Sequence, residues 1–360
     1  MKWEKDILGF VAKEDWLNVG FNVTRQNDPV DTLFGDEKTD NLFAKWQSIA
    51  TEYQIPMMAQ YHGFDTVAQK TFRIPVDTHN IEKGLIKVKI NQSERLRALN
   101  QTGVQGDQDI YEYVINDGVR LAEQVFTRSK VAKNEVLSSG KITIKENDLD
   151  LEVDYGVPND QVGLELDFGP DAEKDIPTQL QDIVDAARAK GTILNGIYTA
   201  SAVIKKLRQN ADIQKAVNGA IGAGQLVKNQ ALLAYLDEEF GITIVKTNDN
   251  NYGASATIGS NGRPSITQKR YYPQDKCTFF STNPAGRLGT GLWGNPPEAD
   301  AAGFKKVNTE AGVSPYVFIT QWMEDDPNEL WTKASGLFMP VLYNPGSLFI
   351  ADVVSTDEGA

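Results

Sequence analysis

The sequence is poor in the residue types that most chemistry at protein sites requires. It holds one cysteine, Cys277, and two histidines, His62 and His79. A single cysteine excludes a disulfide framework within the chain and fits a reducing compartment. Two histidines leave little material for a metal centre or for histidine catalysis. We therefore expect no enzyme activity, no catalytic residue, no metal and no cofactor.

Long apolar runs are also missing. No stretch of 18 apolar residues occurs, so we expect no transmembrane helix. The first residues, MKWEKDILGFVAKEDW, alternate charged and apolar side chains and lack the apolar core of a signal peptide. These features predict a chain that neither spans a membrane nor carries a secretion signal.

Positive charge is scarce and unevenly spread. The 36 Lys and Arg residues face 49 Asp and Glu, a net charge of −13, which argues against tight binding to a nucleic-acid backbone. Segment 70–97 holds seven basic residues against three acids, whereas segment 141–185 holds thirteen acids against three lysines. This asymmetry favours head-to-tail docking between copies of the chain. Solvated strand faces would give the same distribution.

One glycine-rich stretch has the spacing of a dinucleotide-binding fingerprint, Gly289-Thr-Gly291-Leu-Trp-Gly294. That fingerprint requires a strand, a tight turn and a helix whose N-terminus receives the phosphates. Here Asn295-Pro296-Pro297 follows the last glycine and no helical pattern begins. We therefore expect a glycine-rich surface loop that binds no ligand.

Residues 107–140 have the pattern of one long helix. Apolar residues at helical spacing form one stripe, with Asp109 placed to cap the start and Gly140 just past the end. Such a helix is about 45–50 Å long, several times the usual length, so we expect it to carry a sheet along its side. A coiled coil is the alternative. The expected core positions of this helix are Ile110, Val114, Leu121, Val125 and Val136.

Two segments before the helix are expected to need partners. TFRIPV (71–76) and GLIKVKI (84–90) alternate apolar and polar residues and are joined by polar DTHNIEK, which predicts a two-stranded arm with Pro75 on an edge. An isolated two-stranded arm is marginal in water unless something covers it. Residues 1–55 carry bulky apolar side chains without steady periodicity, so we expect them to lie along another surface.

After the helix, helices and strands mix in an α+β pattern. KITIK and LDLEVDY predict a hairpin over 141–155. IPTQLQDIVDAARAKG, ASAVIKKLRQNADIQKAV and NQALLAYLDEEFG predict helices, and GITIVKT a strand. The polar stretch TNDNNYGASATIGSNGRPS predicts a loop. Three short strands near the C-terminus are free to rejoin the hairpin beside the long helix.

This order of segments resembles the Hong Kong 97-type capsid fold of tailed phages, and specifically the major capsid protein E family. The resemblance rests on DTLFGDEKTDNL (31–42), GFDTVAQKTFRIP (63–75), GLIKVKINQSERL (84–96), RLAEQVFTRSKVAKNEVLSSGKI (120–142), LEVDYGVP (151–158), YYPQDKCTFFSTNPAGRLGTGLWG (271–294) and WMEDDPNELWTKASGLFMPVLYNPGSLFIADVV (322–354). It covers about residues 30–355.

The resemblance implies an α+β chain with five regions: an N-terminal arm (1–55), an extended hairpin loop (56–98), a peripheral domain with spine helix and hairpin (99–159), an axial domain (160–314) and the C-terminal strands of the peripheral domain (315–360). It implies a major head protein that assembles with itself into hexamers and pentamers of an icosahedral shell around double-stranded DNA, in the virion, after assembly in the host cytoplasm. Scaffold, portal and decoration proteins are the implied partners, and an encapsulin-type compartment shell is the alternative. The residues expected to contact another subunit are Lys70, Phe72, Arg73, Ile74, Lys83, Lys87 and Lys89.

Overall fold

A computed structural model describes residues 28–48, 55, 58–62, 64–65, 67, 70, 73, 76–92, 106–146, 149–169, 172–219, 224–258, 264–283, 285–297, 305–307, 316–326 and 328–354. Helix makes up 31% of the structure and strand 40% of it, so the predicted α+β class is confirmed. Of the expected N-terminal arm (1–55), residues 1–27 and 49–54 lie outside the described residues.

Five α-helices and seventeen strands occur in this described part of the chain. The helices are α1 (Gly106–Ser139), α2 (Ile176–Ala189), α3 (Ser201–Gln209), α4 (Ala211–Asn218) and α5 (Asn229–Phe240). The strands are β1 (Phe34–Lys38), β2 (Phe43–Ser48), β3 (Asp77–Glu82), β4 (Gly84–Gln92), β5 (Lys141–Glu146), β6 (Leu149–Asp154), β7 (Val162–Asp167), β8 (Gly196–Thr199), β9 (Ile244–Thr247), β10 (Asn251–Ile258), β11 (Pro264–Arg270), β12 (Lys276–Phe280), β13 (Gly289–Gly294), β14 (Lys305–Val307), β15 (Phe318–Asp325), β16 (Asn328–Leu342) and β17 (Leu348–Val354).

The long helix is confirmed. Its 34 residues give a rod of about 50 Å. It begins at Gly106 rather than at Asp109, and it ends where Gly140 takes a φ of 71° and donates its N–H to the carbonyl of Val136 at 2.8 Å. That backbone conformation is open to glycine and costly for other residues, which explains why the rod stops there.

The apolar stripe of α1 faces a core. Leu121, Val125 and Val136 are at most 3% exposed and belong to one buried cluster. Ile110 and Val114 fall in the first turns of α1, where side chains lie outside the described part. The cluster includes Leu330, Ala334 and Phe338, which recur at every fourth residue and therefore share one face of β16. Burial against this sheet stabilises a helix that would be marginal alone.

The sheet on α1 has six strands in the order β1-β13-β16-β15-β14, with β4 also paired to β16. Strand β16 spans 15 residues, so its first part pairs with β15 and β4 while its last part pairs with β13. The β5–β6 hairpin was predicted correctly and contributes Ile142 and Val153 to the same core.

A second sheet, β7-β17-β12-β8-β9, is packed against the shorter helices. Its core holds side chains such as Leu180 of α2, Leu207 of α3 and Leu236 of α5. The expectation that all three C-terminal strands rejoin the hairpin beside α1 is wrong for the last one, because β17 lies between β7 and β12. Its residues Phe349, Ala351 and Val353 point into this second core.

The predicted two-stranded arm over 71–90 is also wrong. The segment expected to be its turn is strand β3, which pairs antiparallel with β2 from Ser48↔Asp77 to Phe43↔Glu82. Strand β4 belongs to the sheet on α1, where Leu85↔Leu337 and Ile90↔Thr332 are paired. Ile86, Val88 and Ile90 of β4 pack against the core between α1 and its sheet, and their burial decides which strand β4 pairs with. The extended ribbon is therefore β2–β3, one strand earlier than predicted.

Two further expectations need correction. The polar stretch 247–265 is not only a loop, because β10 and β11 form an exposed antiparallel ribbon. The helix expected over 200–217 is broken at Asn210, whose extended backbone and side-chain oxygen, accepting from the N–H groups of Asp212 and Ile213, begin a new helix.

A buried polar cluster joins the two cores. Tyr198 of β8 donates its hydroxyl to Oδ1 of Asn134 on α1 at 2.7 Å. Asn248, just after β9, donates its amide to Asp28 Oδ1 at 3.0 Å and lies 3.1 Å from the same Asn134 oxygen. Burial raises the pKa of Tyr198 well above its usual value, so the hydroxyl keeps its proton for this bond. The cluster fixes the second sheet against the long helix.

Candidate functional site

The β2–β3 ribbon is anchored at its base by aromatic stacking. Trp46 of β2 is 7% exposed, and its ring lies 4.8 Å from that of His79 and 5.8 Å from that of Tyr155. Tyr155 in turn donates its hydroxyl to the carbonyl oxygen of Pro340 at 2.6 Å. The base of the ribbon therefore belongs to the body of the molecule.

Lys83 sits where the ribbon meets the sheet, and it is buried. Its ammonium group donates to Thr39 Oγ1 at 2.5 Å, to the carbonyl of Asn41 at 2.6 Å and to that of Trp293 at 3.3 Å. Burial lowers the pKa of this lysine, with Asp40 acting in the opposite direction. Lys83 is 3% exposed and is bonded within its own copy, so these contacts do not support the prediction that it contacts another subunit. It ties the junction of β3 and β4 to the β1–β2 connection and to β13 within one copy.

Lys87 and Lys89 are on the outer face of the sheet, where the side chains are exposed. The ammonium of Lys89 lies 4.2 Å from the ring centroid of Trp331, which stacks on Trp322 at 6.0 Å, and Lys333 lies 5.7 Å from the Trp322 ring. Cation–π contacts of this kind hold a lysine stem along an aromatic surface while the charge stays in water. The face is thus cationic and partly aromatic.

The tip of the ribbon carries apolar side chains that are almost fully exposed. Met58 is 89%, Tyr61 106%, Phe64 102% and Val67 93% exposed. Sequence reasoning named Lys70, Phe72, Arg73 and Ile74 as contact residues in this region and missed these four. Their spacing of three residues was the available signal. Of the residues that it did name nearby, Lys70 and Arg73 are exposed, whereas Phe72 and Ile74 lie outside the described residues.

The acid-rich segment 141–185 presents exposed carboxylates on the hairpin and on β7, but several have partners within the chain. Lys141 lies 2.8 Å from Asp154, and Lys174 lies 2.6 Å from Asp182. Burial alone would raise the pKa of Asp154, but hydrogen bonds from Lys141 and from the N–H of Gly156 hold it below its usual value. Other exposed carboxylates of this segment are Asp150, Glu152 and Glu165.

The glycine-rich stretch is a strand rather than the surface loop predicted. Gly289–Gly294 is β13, largely buried between β1 and β16. A Cβ at Gly289 would collide with the carbonyl of Val341 and the ring of Phe34. The glycines thus allow close backbone approach within a sheet, and the strand–turn–helix geometry of a dinucleotide site is not formed here.

Other kinds of site have little support in the part of the chain that the structure describes. Within it, no group of three or more His, Cys, Asp or Glu side chains is arranged to hold a metal ion. None of its helices combines the length and apolarity needed to cross a membrane. The surfaces that stand out are therefore the ribbon, its tip and the cationic face beside it.

Comparison with known proteins identifies the family. Residues 64–353, well over half of the chain, match the family described as phage major capsid protein E. No curated protein matches the chain. Among solved structures, the putative capsid protein of a prophage of Escherichia coli CFT073 is similar, with 14% identity, a TM-score of 0.52, and coverage of 96% of this chain and 97% of that chain. That likeness shows the fold, which is of the Hong Kong 97 type.

Two further structures are similar at lower scores. A phage-related protein from Bordetella bronchiseptica has 9% identity and a TM-score of 0.49, covering 93% of this chain and 95% of that chain. The capsid of cyanophage P-SCSP1u gives 13% identity and a TM-score of 0.46, with coverage of 93% and 90%. The extent of the family match decides the assignment: this chain belongs to the phage major capsid protein E family.

Proposed function

We propose that this chain is the building block of a phage head, in which copies join as hexamers and pentamers of an icosahedral shell around double-stranded DNA. The observation that carries the proposal is the ribbon tip. Four large apolar side chains there are 89–106% exposed, so a single copy leaves apolar surface in water that contact with another copy would cover. Family membership supports the same function. The encapsulin-type alternative has weaker support, because the matched family is one of phage capsid proteins.

Scaffold, portal and decoration proteins are proposed partners, and the virion is the proposed location. The five-region division made from the sequence is kept with these changes: β1, β4, β13 and β14 are part of the sheet on α1, and β17 is part of the sheet on the shorter helices. These changes leave the β2–β3 ribbon as the extended loop that reaches another copy.

Electron microscopy of the purified protein tests the function. Closed shells, or rings of five and six copies, are expected, alone or when the protein is produced with the other head proteins of its phage. A protein that stays monomeric in both preparations would show that it does not form a shell.

We further propose that Lys87 and Lys89 dock against the acidic 141–185 segment of another copy. Lys87→Glu/Lys89→Glu should leave the fold intact, judged by circular dichroism, but slow shell closure measured by light scattering. The matched control is Lys228→Glu/Lys269→Glu, which reverses two exposed lysines elsewhere. Salt should weaken the wild-type contact, because the Debye length falls from about 10 Å at 0.1 M to about 3 Å at 1 M. Equal rates for both double variants would contradict this docking.

A further inference from the structure

Five polar side chains share a small area on the outer face of the sheet on α1. The register of β4 and β16 places Ser335 directly opposite Lys87 and Lys333 directly opposite Lys89. On the other side of β16, Thr320 of β15 lies opposite Lys333. Residues directly opposite each other in an antiparallel pair share a face, and so do residues two apart along one strand. Three lysines and two hydroxyl side chains therefore form one group, which we call the lysine–hydroxyl patch.

The lysines of this patch repel one another. Lys89 and Lys333 are directly opposite, and the Cβ atoms of such a pair are about 4.5–5.5 Å apart, so like charges there destabilise a sheet. Lys87 precedes Lys89 by two residues and lies about 7 Å from it along the strand. Lys87 and Lys89 are exposed and Lys333 is half-buried. An anion placed among the three ammonium groups would turn this repulsion into attraction.

The two hydroxyl groups of the patch are buried and lack a partner. Thr320 is 1% exposed and Ser335 0% exposed. Neither Thr320 Oγ1 nor Ser335 Oγ has a hydrogen-bond partner in the part of the chain that the structure describes. A buried hydroxyl without a partner lowers stability, because it has given up its hydrogen bonds to water. A ligand with several acceptor oxygens would recover that loss at both positions.

We propose that the lysine–hydroxyl patch binds a phosphate group. The ammonium groups of Lys87, Lys89 and Lys333 supply the positive charge, and the hydroxyls of Ser335 and Thr320 donate hydrogen bonds. A phosphate group carries a charge of about −1.5 to −2 at pH 7 and three strong acceptor oxygens. A single carboxylate has one charge and two oxygens, so it would satisfy fewer of these five groups. Hydrogen bonds to a charged acceptor are also stronger than those between neutral groups.

Two carboxylates lie at one end of this face, toward the turn between β15 and β16. Glu324 accepts the indole N–H of Trp331 at 2.7 Å, and Glu329 accepts the side-chain amide N–H of Asn91 at 3.1 Å. Glu329 is paired with Glu324 and lies four residues before Lys333 on the same strand. Each carboxylate thus has a donor of its own. The phosphate group is expected at the other end, where the positive charge is concentrated.

Titration calorimetry of the unassembled subunit with inorganic phosphate tests the site. The variants are Lys89→Gln and Ser335→Ala, and the matched control is Lys228→Gln, which changes an exposed lysine elsewhere. Loss of one hydrogen bond to a charged group should weaken phosphate binding about tenfold in the two patch variants and not in the control. Sodium chloride at equal ionic strength measures the effect of screening alone. Ser335→Ala should keep the melting temperature, because the hydroxyl has no partner to lose.

Saturable binding to the wild type that weakens in both patch variants would support the site. No saturable binding, or equal affinity in the patch variants and the control, would overturn it. A short DNA duplex then identifies the source of the phosphate. A duplex that binds, and binds less well to Lys89→Gln, assigns the site to nucleic-acid phosphate, and its binding should weaken with salt. Binding of inorganic phosphate without binding of the duplex assigns the site to the free anion.

Shell closure gives a second readout, because the patch shares Lys87 and Lys89 with the docking proposed above. Inorganic phosphate should slow closure more than sodium chloride does at equal ionic strength, and Ser335→Ala should reduce that difference. Equal slowing by the two salts would contradict occupation of the patch by phosphate. A chain that forms no shell would contradict the proposed function, whereas phosphate binding to the unassembled subunit would still be measurable. The two failures are therefore distinguishable.

Discussion

Lys133 offers the sharpest test of how the long helix is held to the chain that crosses it. Its side chain is 1% exposed, and its ammonium lies 2.9 Å from Asp31 Oδ1, 2.9 Å from Asp36 Oδ1 and 3.3 Å from the carbonyl of Phe34. These contacts attach the C-terminal part of α1 to β1 and to the turn before it. Replacing the lysine by methionine keeps the stem and removes the charge.

The expected cost follows from what the change leaves behind. Removing one partner of a buried ion pair costs about 3–5 kcal/mol, mostly because the remaining charge is stranded. Here Asp31 is 36% exposed and can regain water, while Asp36 keeps the Trp293 indole N–H at 3.0 Å. Lys133→Met should therefore lower the free energy of unfolding by about 3 kcal/mol, at the lower end of that range.

The assay is urea unfolding of the unassembled subunit followed by tryptophan fluorescence, since Trp293 lies beside the cluster. Adding Asp36→Asn to Lys133→Met removes one stranded charge, so the double variant should lose less than the sum of the single losses, by about 1 kcal/mol or more. The matched control is Lys141→Met, which breaks an exposed pair with Asp154 and should change stability far less. If Lys133→Met behaves like that control, the buried cluster does not anchor α1 to β1.

Three further outcomes are expected. Leu121→Asp places a charge at a core position that is 3% exposed, so this variant should be insoluble. Ile193→Asp, at a position that is 68% exposed, should stay soluble. A soluble, assembling Leu121→Asp variant would show that the apolar stripe of α1 is not part of the core. Gly289→Ala should lower the melting temperature, since its Cβ would meet the carbonyl of Val341, and an unchanged temperature in calorimetry would contradict the close approach. The Cys277 thiol should be unreactive in the folded subunit near pH 8 and reactive in urea. Burial raises the pKa of this thiol from 9.0 to about 12, so above about pH 9 the unfolded chain loses a proton that the folded chain keeps. The free energy of unfolding should therefore fall as the pH rises above about 9. Equal thiol reactivity in both states would refute the burial.

Much of the fold follows from periodicity in the sequence. The positions of Leu121, Val125 and Val136 predict one face of a long helix, because apolar residues that recur at steps of four and eleven share one side of a helix. Gly140 predicts its end, since glycine readily takes the left-handed conformation that closes a helix. The hairpin after it was predicted from its own period, since its strands alternate around a polar turn.

Strand partners and buried charges were harder to predict. Alternation in 71–90 is equally compatible with a free arm and with a sheet strand, and only the buried surface of β16 selects the latter for β4. Lys83 lies in a basic stretch that has the composition of a solvated face. Its ammonium can be buried because three oxygen acceptors that are distant in sequence accept its hydrogen bonds. The apolar tip was missed because a spacing of three residues matches neither the period of an α-helix nor that of a β-strand.

The place of β17 has a consequence for how the chain is made. This strand is the last one described, yet it lies inside the second sheet, parallel to β7 and antiparallel to β12. Folding during synthesis proceeds from the N-terminus, domain by domain. Here the sheet cannot close until residues 348–354 have left the ribosome, so β7 and β12 lack their common neighbour until then. Each subunit therefore completes its second core only after residues 348–354 have been made, and it can join a growing shell only after that step.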